Sequence, residues 1–68
     1  MMADFGKRLC ELRHRAGLTQ AEVAQMVGRS PNTVARWERG ERTPDVLVQE
    51  AVLARLRELP PIQRRAGR

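Results

Sequence analysis

Apolar positions along this 68-residue chain recur at helical rather than strand spacing. Phe5, Leu9, Leu12 and Ala16 follow at i, i+4, i+7 and i+11, one stripe of a helix whose other faces carry Lys7, Arg8, Glu11, Arg13 and Arg15. Asp4, just before the stripe, suits an N-cap, since a carboxylate there accepts from amides that lack an intrahelical partner. Gly17 stands where a left-handed stop belongs. Thr19 and Glu22 have the spacing of a capping box, and Leu18 is placed to pack on Val23 as a hydrophobic staple. Val23, Ala24 and Val27 then form the inward face of a short second helix, about residues 19–27, which Gly28 ends.

Ser30-Pro31 marks a third start: serine caps, and proline at the first helical position lacks only an amide that had no partner. Val34 and Trp37 hold the buried spacing of a helix over about residues 30–39, and Gly40 closes it. Only Val27-Gly28-Arg29 separates the second and third helices, and so short a turn forces a steep crossing. Thr43-Pro44-Asp45 opens a fourth helix from Val46 to Leu59. Val48, Ala51, Val52, Leu56 and Leu59 share one of its faces, with Val46 and Leu53 nearly opposite. Pro60-Pro61 stops it, and residues 60–68 read as a flexible basic tail after a single domain of residues 1–59. Trp37 reads as the central plug of the core and Cys10 as a small half-buried hydrophobe rather than a redox sensor.

Composition narrows the function. A chain this short buries only about 60% of its extended surface, so its core is compact and local in sequence. Lys and Arg total 13 against 8 Asp and Glu, for a net charge of +5. All but one of these cations are arginine, the residue suited to planar recognition of phosphates and base edges. Residues 1–15 and 29–44 carry +2 each, the fourth helix with Asp45 before it −1 and the tail +3. One Cys and one His exclude a disulfide framework and a zinc site of the usual kind. No glycine-rich phosphate loop is present, and no catalytic, metal or cofactor residues are expected. The N-terminus has no apolar stretch of the signal-peptide kind, and Ala51-Val52-Leu53-Ala54 is far too short for a membrane span. The expectation is a soluble protein of a reducing, cytoplasmic compartment that binds rather than catalyses.

Gly17-Leu18-Thr19-Gln20-Ala21-Glu22-Val23-Ala24, then Gly28, Ser30, Val34, Trp37-Glu38-Arg39-Gly40 and Pro44, resemble the Cro/repressor-type helix-turn-helix family. These are the lambda-repressor-like DNA-binding domains, of the xenobiotic-response-element type, found in phage and bacterial regulators. The likeness covers residues 4 to about 56, without a gap through residue 44. It implies an all-α domain of four to five helices whose third helix enters the major groove of double-stranded DNA, in a nucleoid-associated transcriptional regulator.

By the same resemblance, Gln20 matches the position that grips a backbone phosphate through its side chain and amide, next to Thr19. Ser30, Pro31, Asn32, Thr33 and Arg36 match the recognition helix. Asn32 suits adenine, Arg36 suits guanine, and Pro31 meets a thymine methyl without reading by hydrogen bonds. Arg13 and Glu38 match an ion pair tying the first helix to the third, with Arg13 also near a phosphate. Arg29 replaces the aliphatic residue common in the turn, and its charge either adds a phosphate contact or sits in solvent. Arg39 and Arg42 flank the exit from the third helix, where the following loop meets backbone.

One such module buries about 600–1,000 Å² on DNA, which favours a homodimer on half-sites about one helical turn apart. Val46 and Leu53 are the expected dimer patch, with Leu47 or Leu59 beside them. The alternative reading is a protein-interaction module, an antitoxin or adaptor whose fourth helix and tail engage a partner such as a toxin. No exposed stacking aromatic supports RNA binding.

Overall fold

A computed structural model describes residues 4–61, Asp4 by its backbone alone. Four helices follow in order: α1 Asp4–Ala16, α2 Gln20–Val27, α3 Pro31–Arg39 and α4 Val46–Arg57. The all-α expectation holds, with four helices among the described residues. None is long and apolar enough to cross a membrane. The expected Asp4 cap concerns a side chain outside the described set, and the tail from Ile62 onward lies outside it too.

Local signals set most boundaries. Gly17, Gly28 and Gly40 take φ of 71°, 72° and 79°, so the first three helices each end on a left-handed glycine. Thr19 and Glu22 close a reciprocal capping box, Thr19 Oγ1 accepting from the Glu22 amide at 3.0 Å and Glu22 Oε1 from the Thr19 amide at 2.8 Å. Ser30 caps α3 through the Thr33 amide, and Asp45 caps α4 through the Val48 amide at 3.0 Å. The end of α4 departs from expectation. Regular helix stops at Arg57 instead of Leu59, since a residue before proline is pushed out of the helical region.

Phe5, Leu9, Val23, Ala24, Val34, Trp37, Val52 and Leu56 make one core to which every helix contributes. The Trp37 ring is 4% exposed and meets Phe5 edge to face, centroids 5.8 Å apart at 69°. Two α4 assignments need correction. Ala51, expected inward, is exposed, while Leu53, expected outward, packs partly on the core. Leu53 lies only about 60° round the helix from buried Leu56, close enough for the core's edge to reach it.

A close approach of α1 to α3 is invisible in the hydrophobic pattern. Gly6 is buried, and a Cβ there would run into the carbonyl oxygen of Trp37 and crowd that of Glu38. Gly6→Ala should therefore destabilise by about 1–3 kcal/mol, the cost of prising packed helices apart. Higher helix propensity of alanine, worth about 1 kcal/mol, works the other way. Denaturant unfolding checks this, and a stabilised variant would refute the close contact.

Candidate nucleic-acid interface

Short α2, the turn Gly28–Ser30 and α3 follow one another as two capped helices. Three residues expected at the DNA face are committed to this local frame. Thr19 serves the α2 cap, and Ser30 Oγ accepts from the Thr33 amide at 3.1 Å while sharing a 3.0 Å bond with the Thr33 hydroxyl. Their hydroxyls order the chain at the point where α3 begins. Pro31, Asn32 and Arg36 are exposed, and none forms a side-chain hydrogen bond among the described residues. They leave α3 with an outward face carrying an amide fork and a guanidinium one turn apart. That combination matches base-edge donor and acceptor pairs.

Behind this face lies a part-buried ionic knot. Arg13 Nε donates to Glu38 Oε2 at 2.6 Å and Nη2 to Oε1 at 3.0 Å, with side chains only 13% and 7% exposed. Arg13 Nη1 also reaches the carbonyl of Leu18 at 3.0 Å, and Nη2 lies 3.9 Å from Cys10 Sγ. The ion pair read from the sequence is thus present, and the guanidinium's fork is spent inside the domain. Burial opposes the charge on Glu38, but hydrogen bonds from Arg13 and Gln20 outweigh it, so the carboxyl sits below its ordinary range.

Gln20 belongs to the same knot. Its side-chain amide donates to Glu38 Oε1 at 3.0 Å, which ties the first residue of α2 to the end of α3. The side-chain carbonyl stays available. So does the backbone amide, which at the first helical position has no partner within the helix. No sequence signal marks this link, because eighteen residues separate the partners.

The remaining arginines divide. Arg29 is exposed, as one of its two expected places has it, and it also meets the core's edge. Its guanidinium stands 5.9 Å from the Trp37 ring centroid, as in a cation–π contact, and it lines grooves against α4 and the α3–α4 loop. It covers the tryptophan where an aliphatic residue would otherwise pack. Arg39 clasps Glu41 through two hydrogen bonds of 2.8 and 3.1 Å, which hold that carboxyl below its ordinary range in an exposed pair. Arg42 is exposed on the loop and lines the polar groove with Thr33 and Thr43.

Known proteins bear on this geometry. A family model described as a helix-turn-helix domain matches residues 4–66. The chain is 43% identical over 58 residues to the type II methyltransferase M1.ScrFI of Lactococcus lactis subsp. cremoris, covering 81% of this chain and 15% of that protein. It is 45% identical over 42 residues to the HTH-type transcriptional regulator ImmR of Bacillus subtilis (strain 168), covering 62% of this chain and 33% of that one. The chain thus spans a third or less of these curated relatives. No solved structure matches it significantly. With the family model spanning nearly the whole sequence, and with α2, the turn and α3 in place, the chain belongs to the helix-turn-helix domain family.

Proposed function

We propose that this domain binds double-stranded DNA sequence-specifically, with α3 in the major groove, and that it serves transcriptional regulation in the nucleoid. The observation that carries the reading is the contrast along α3. Ser30 and Thr33 are bonded to their own helix start, whereas Pro31, Asn32 and Arg36 face outward unengaged. Asn32 reads adenine and Arg36 guanine, each by a bidentate pair, and Pro31 lies against a thymine methyl. The Gln20 amide and side-chain carbonyl take a backbone phosphate, with Glu38 holding the side chain in place. Arg42 adds a phosphate contact from the loop. Arg13, Arg29 and Arg39 are assigned to the fold and its surface pairs instead.

Residues 1–59 make up the binding module, and Arg64, Arg65 and Arg68 of the basic segment 60–68 add attraction to DNA of any sequence. ImmR is named as a transcriptional regulator, and the proposal extends that role to this chain. The methyltransferase match spans too little of that protein to bring its catalysis across.

Selection from random duplexes at near-physiological salt tests the proposal. Enrichment of a motif containing adenine and guanine contacts supports it, and binding that only tracks salt refutes sequence reading. On the selected site, Asn32→Ala and Arg36→Ala should each cost about 1–3 kcal/mol and relax the base preference they govern. Gln20→Ala should weaken every sequence alike. Equal losses of cognate and nonspecific binding in Arg36→Ala would remove its base-reading role.

A further inference from the structure

Arg29 stands between two grooves of opposite character. On one side, between α4 and the end of α2, an open groove of about 460 Å³ is walled by Met26, Val27, Ala51 and Ala54. On the other, along the α3–α4 loop, a groove of about 380 Å³ carries Thr33, Arg42 and Thr43. Arg29 and Val48 line both, so the two adjoin. Charge is uneven along this trough. At the apolar end, Arg55 and Glu58 lie three residues apart on one helix and offset each other. At the polar end, Arg29 and Arg42 are exposed and in no ion pair among the described residues. The carboxylate there, Asp45, is engaged as the α4 cap through the Val48 amide. Two guanidinia thus face one occupied carboxylate, next to an apolar channel.

We propose that this trough binds a free single-chain amphiphile with an anionic head, of the fatty-carboxylate class. The head sits between Arg29 and Arg42, where charge-assisted hydrogen bonds form and the Thr43 hydroxyl adds a donor. The chain lies over Val48, Ala51 and Ala54, against Met26 and Val27. Charge complementarity selects this occupant. A bare anion would leave the apolar end in water, and an uncharged hydrocarbon would leave the two arginines without an acceptor. Each groove falls in the range of about 300–1,000 Å³ common to small-molecule sites. From Val48 to Glu58 the channel follows α4 for about 15 Å, which suits a chain of medium length.

Occupancy also bears on α3. Arg29 belongs to the turn before that helix, and Arg42 is the loop residue assigned to a DNA phosphate. A carboxylate held between them competes with that phosphate, so the amphiphile antagonises DNA binding. This consequence rests on the DNA reading, whereas the binding itself does not. Trp37 lines the polar groove and is the chain's one tryptophan, so its emission reports on the head group.

Calorimetric titration of the 68-residue chain with sodium decanoate, below its micelle concentration and without DNA, tests the site. Saturable uptake of one molecule per chain is expected, with Trp37 emission following the same curve. Octanoate should bind about fourfold more weakly, since two methylenes half-buried in an open groove gain less than the roughly sixteenfold of full burial. Decyltrimethylammonium, with the same chain and a positive head, should not bind. Arg29→Gln and Arg42→Gln should each weaken decanoate about tenfold. Ala51→Glu, which puts a carboxylate on the apolar wall, should abolish uptake. Circular dichroism melts of Arg42→Gln and Ala51→Glu should match the parent, because both positions are exposed. No saturable uptake, or equal uptake of the cationic amphiphile, overturns the proposal, as does decanoate binding indifferent to both arginine changes. Binding to phosphatidylglycerol vesicles in place of free decanoate, or a mass that doubles with concentration in its place, gives the groove to another occupant and also overturns it. On a selected duplex, decanoate should raise the apparent Kd of the parent but not of Ala51→Glu, and an unchanged parent overturns the antagonism. If selection enriches no duplex, the DNA reading fails while the titration still decides the site.

Discussion

Glu38→Ala should destabilise the fold by up to about 3–5 kcal/mol, because it leaves the part-buried Arg13 guanidinium without its counter-charge. A domain of this length holds roughly 3–10 kcal/mol in all, so the variant should be partly or wholly unfolded at room temperature. Leu18 and Cys10 still contact Arg13, but neither supplies a negative charge. Replacing both partners by apolar residues, Arg13→Met with Glu38→Leu, should cost far less than the single change, because no part-buried charge then remains. Urea unfolding of the three proteins measures this, and a Glu38→Ala domain within about 1 kcal/mol of the parent would contradict a part-buried pair.

The same pair makes stability depend on acid. The folded-state pKa of Glu38 lies below its ordinary value of about 4.3. Its contribution is therefore fully present above that value and is lost as the pH falls through the folded pKa. Glu38→Gln should be less stable than the parent at neutral pH and lose less on acidification. A variant whose acid sensitivity equals the parent's would assign that sensitivity to other carboxylates.

Trp37→Ala should cost about 3–5 kcal/mol, through the lost transfer energy of the ring and the cavity it leaves. Three elements meet on this indole: Phe5 of α1 against it edge to face, the α3 backbone that carries it, and Arg29 of the turn near its face. Removing the ring thus loosens the seat of α1 on α3 and the turn before the recognition helix together. Trp37→Phe keeps an apolar ring in place and should lose much less. Arg29→Ala should cost about 0.5–1 kcal/mol, the worth of a partly exposed cation–π contact. Equal melting of Trp37→Ala and Trp37→Phe would show that filling the site matters little.

What could be read in advance follows from the range of each interaction. Caps join residues three apart, so Thr19 with Glu22, Ser30 before Pro31, and Asp45 were legible in order. Left-handed glycines were equally local. Periodicity marks Val34 and Trp37 as the inward side of α3, and the family resemblance assigns Asn32 and Arg36 to its outer face. Gly6 gave no sign of its role, because the clash it avoids is with the Trp37 carbonyl thirty-one residues on. Gln20 carried no mark of its tie to Glu38, and Arg29 none of its seat by Trp37, although all four residues had been singled out individually.

By itself, then, the sequence determined the order and starts of the helices, the ends of α1, α2 and α3, and the inward faces of those three. Those features rest on φ preferences, capping and one apolar stripe per helix, all of which act within a turn or two of chain. Helix α4 carries apolar residues around more of its circumference, and periodicity assigns them angles without saying which angles the rest of the core will meet. Tertiary structure decided that Leu53 goes in and Leu47 stays out, because the packing of α4 on α1 selects which side is covered. It likewise decided that Arg13, Glu38 and Gln20 form one part-buried knot behind α3. A hydrogen bond across eighteen residues and an ion pair across twenty-five require the folded chain to bring the partners together.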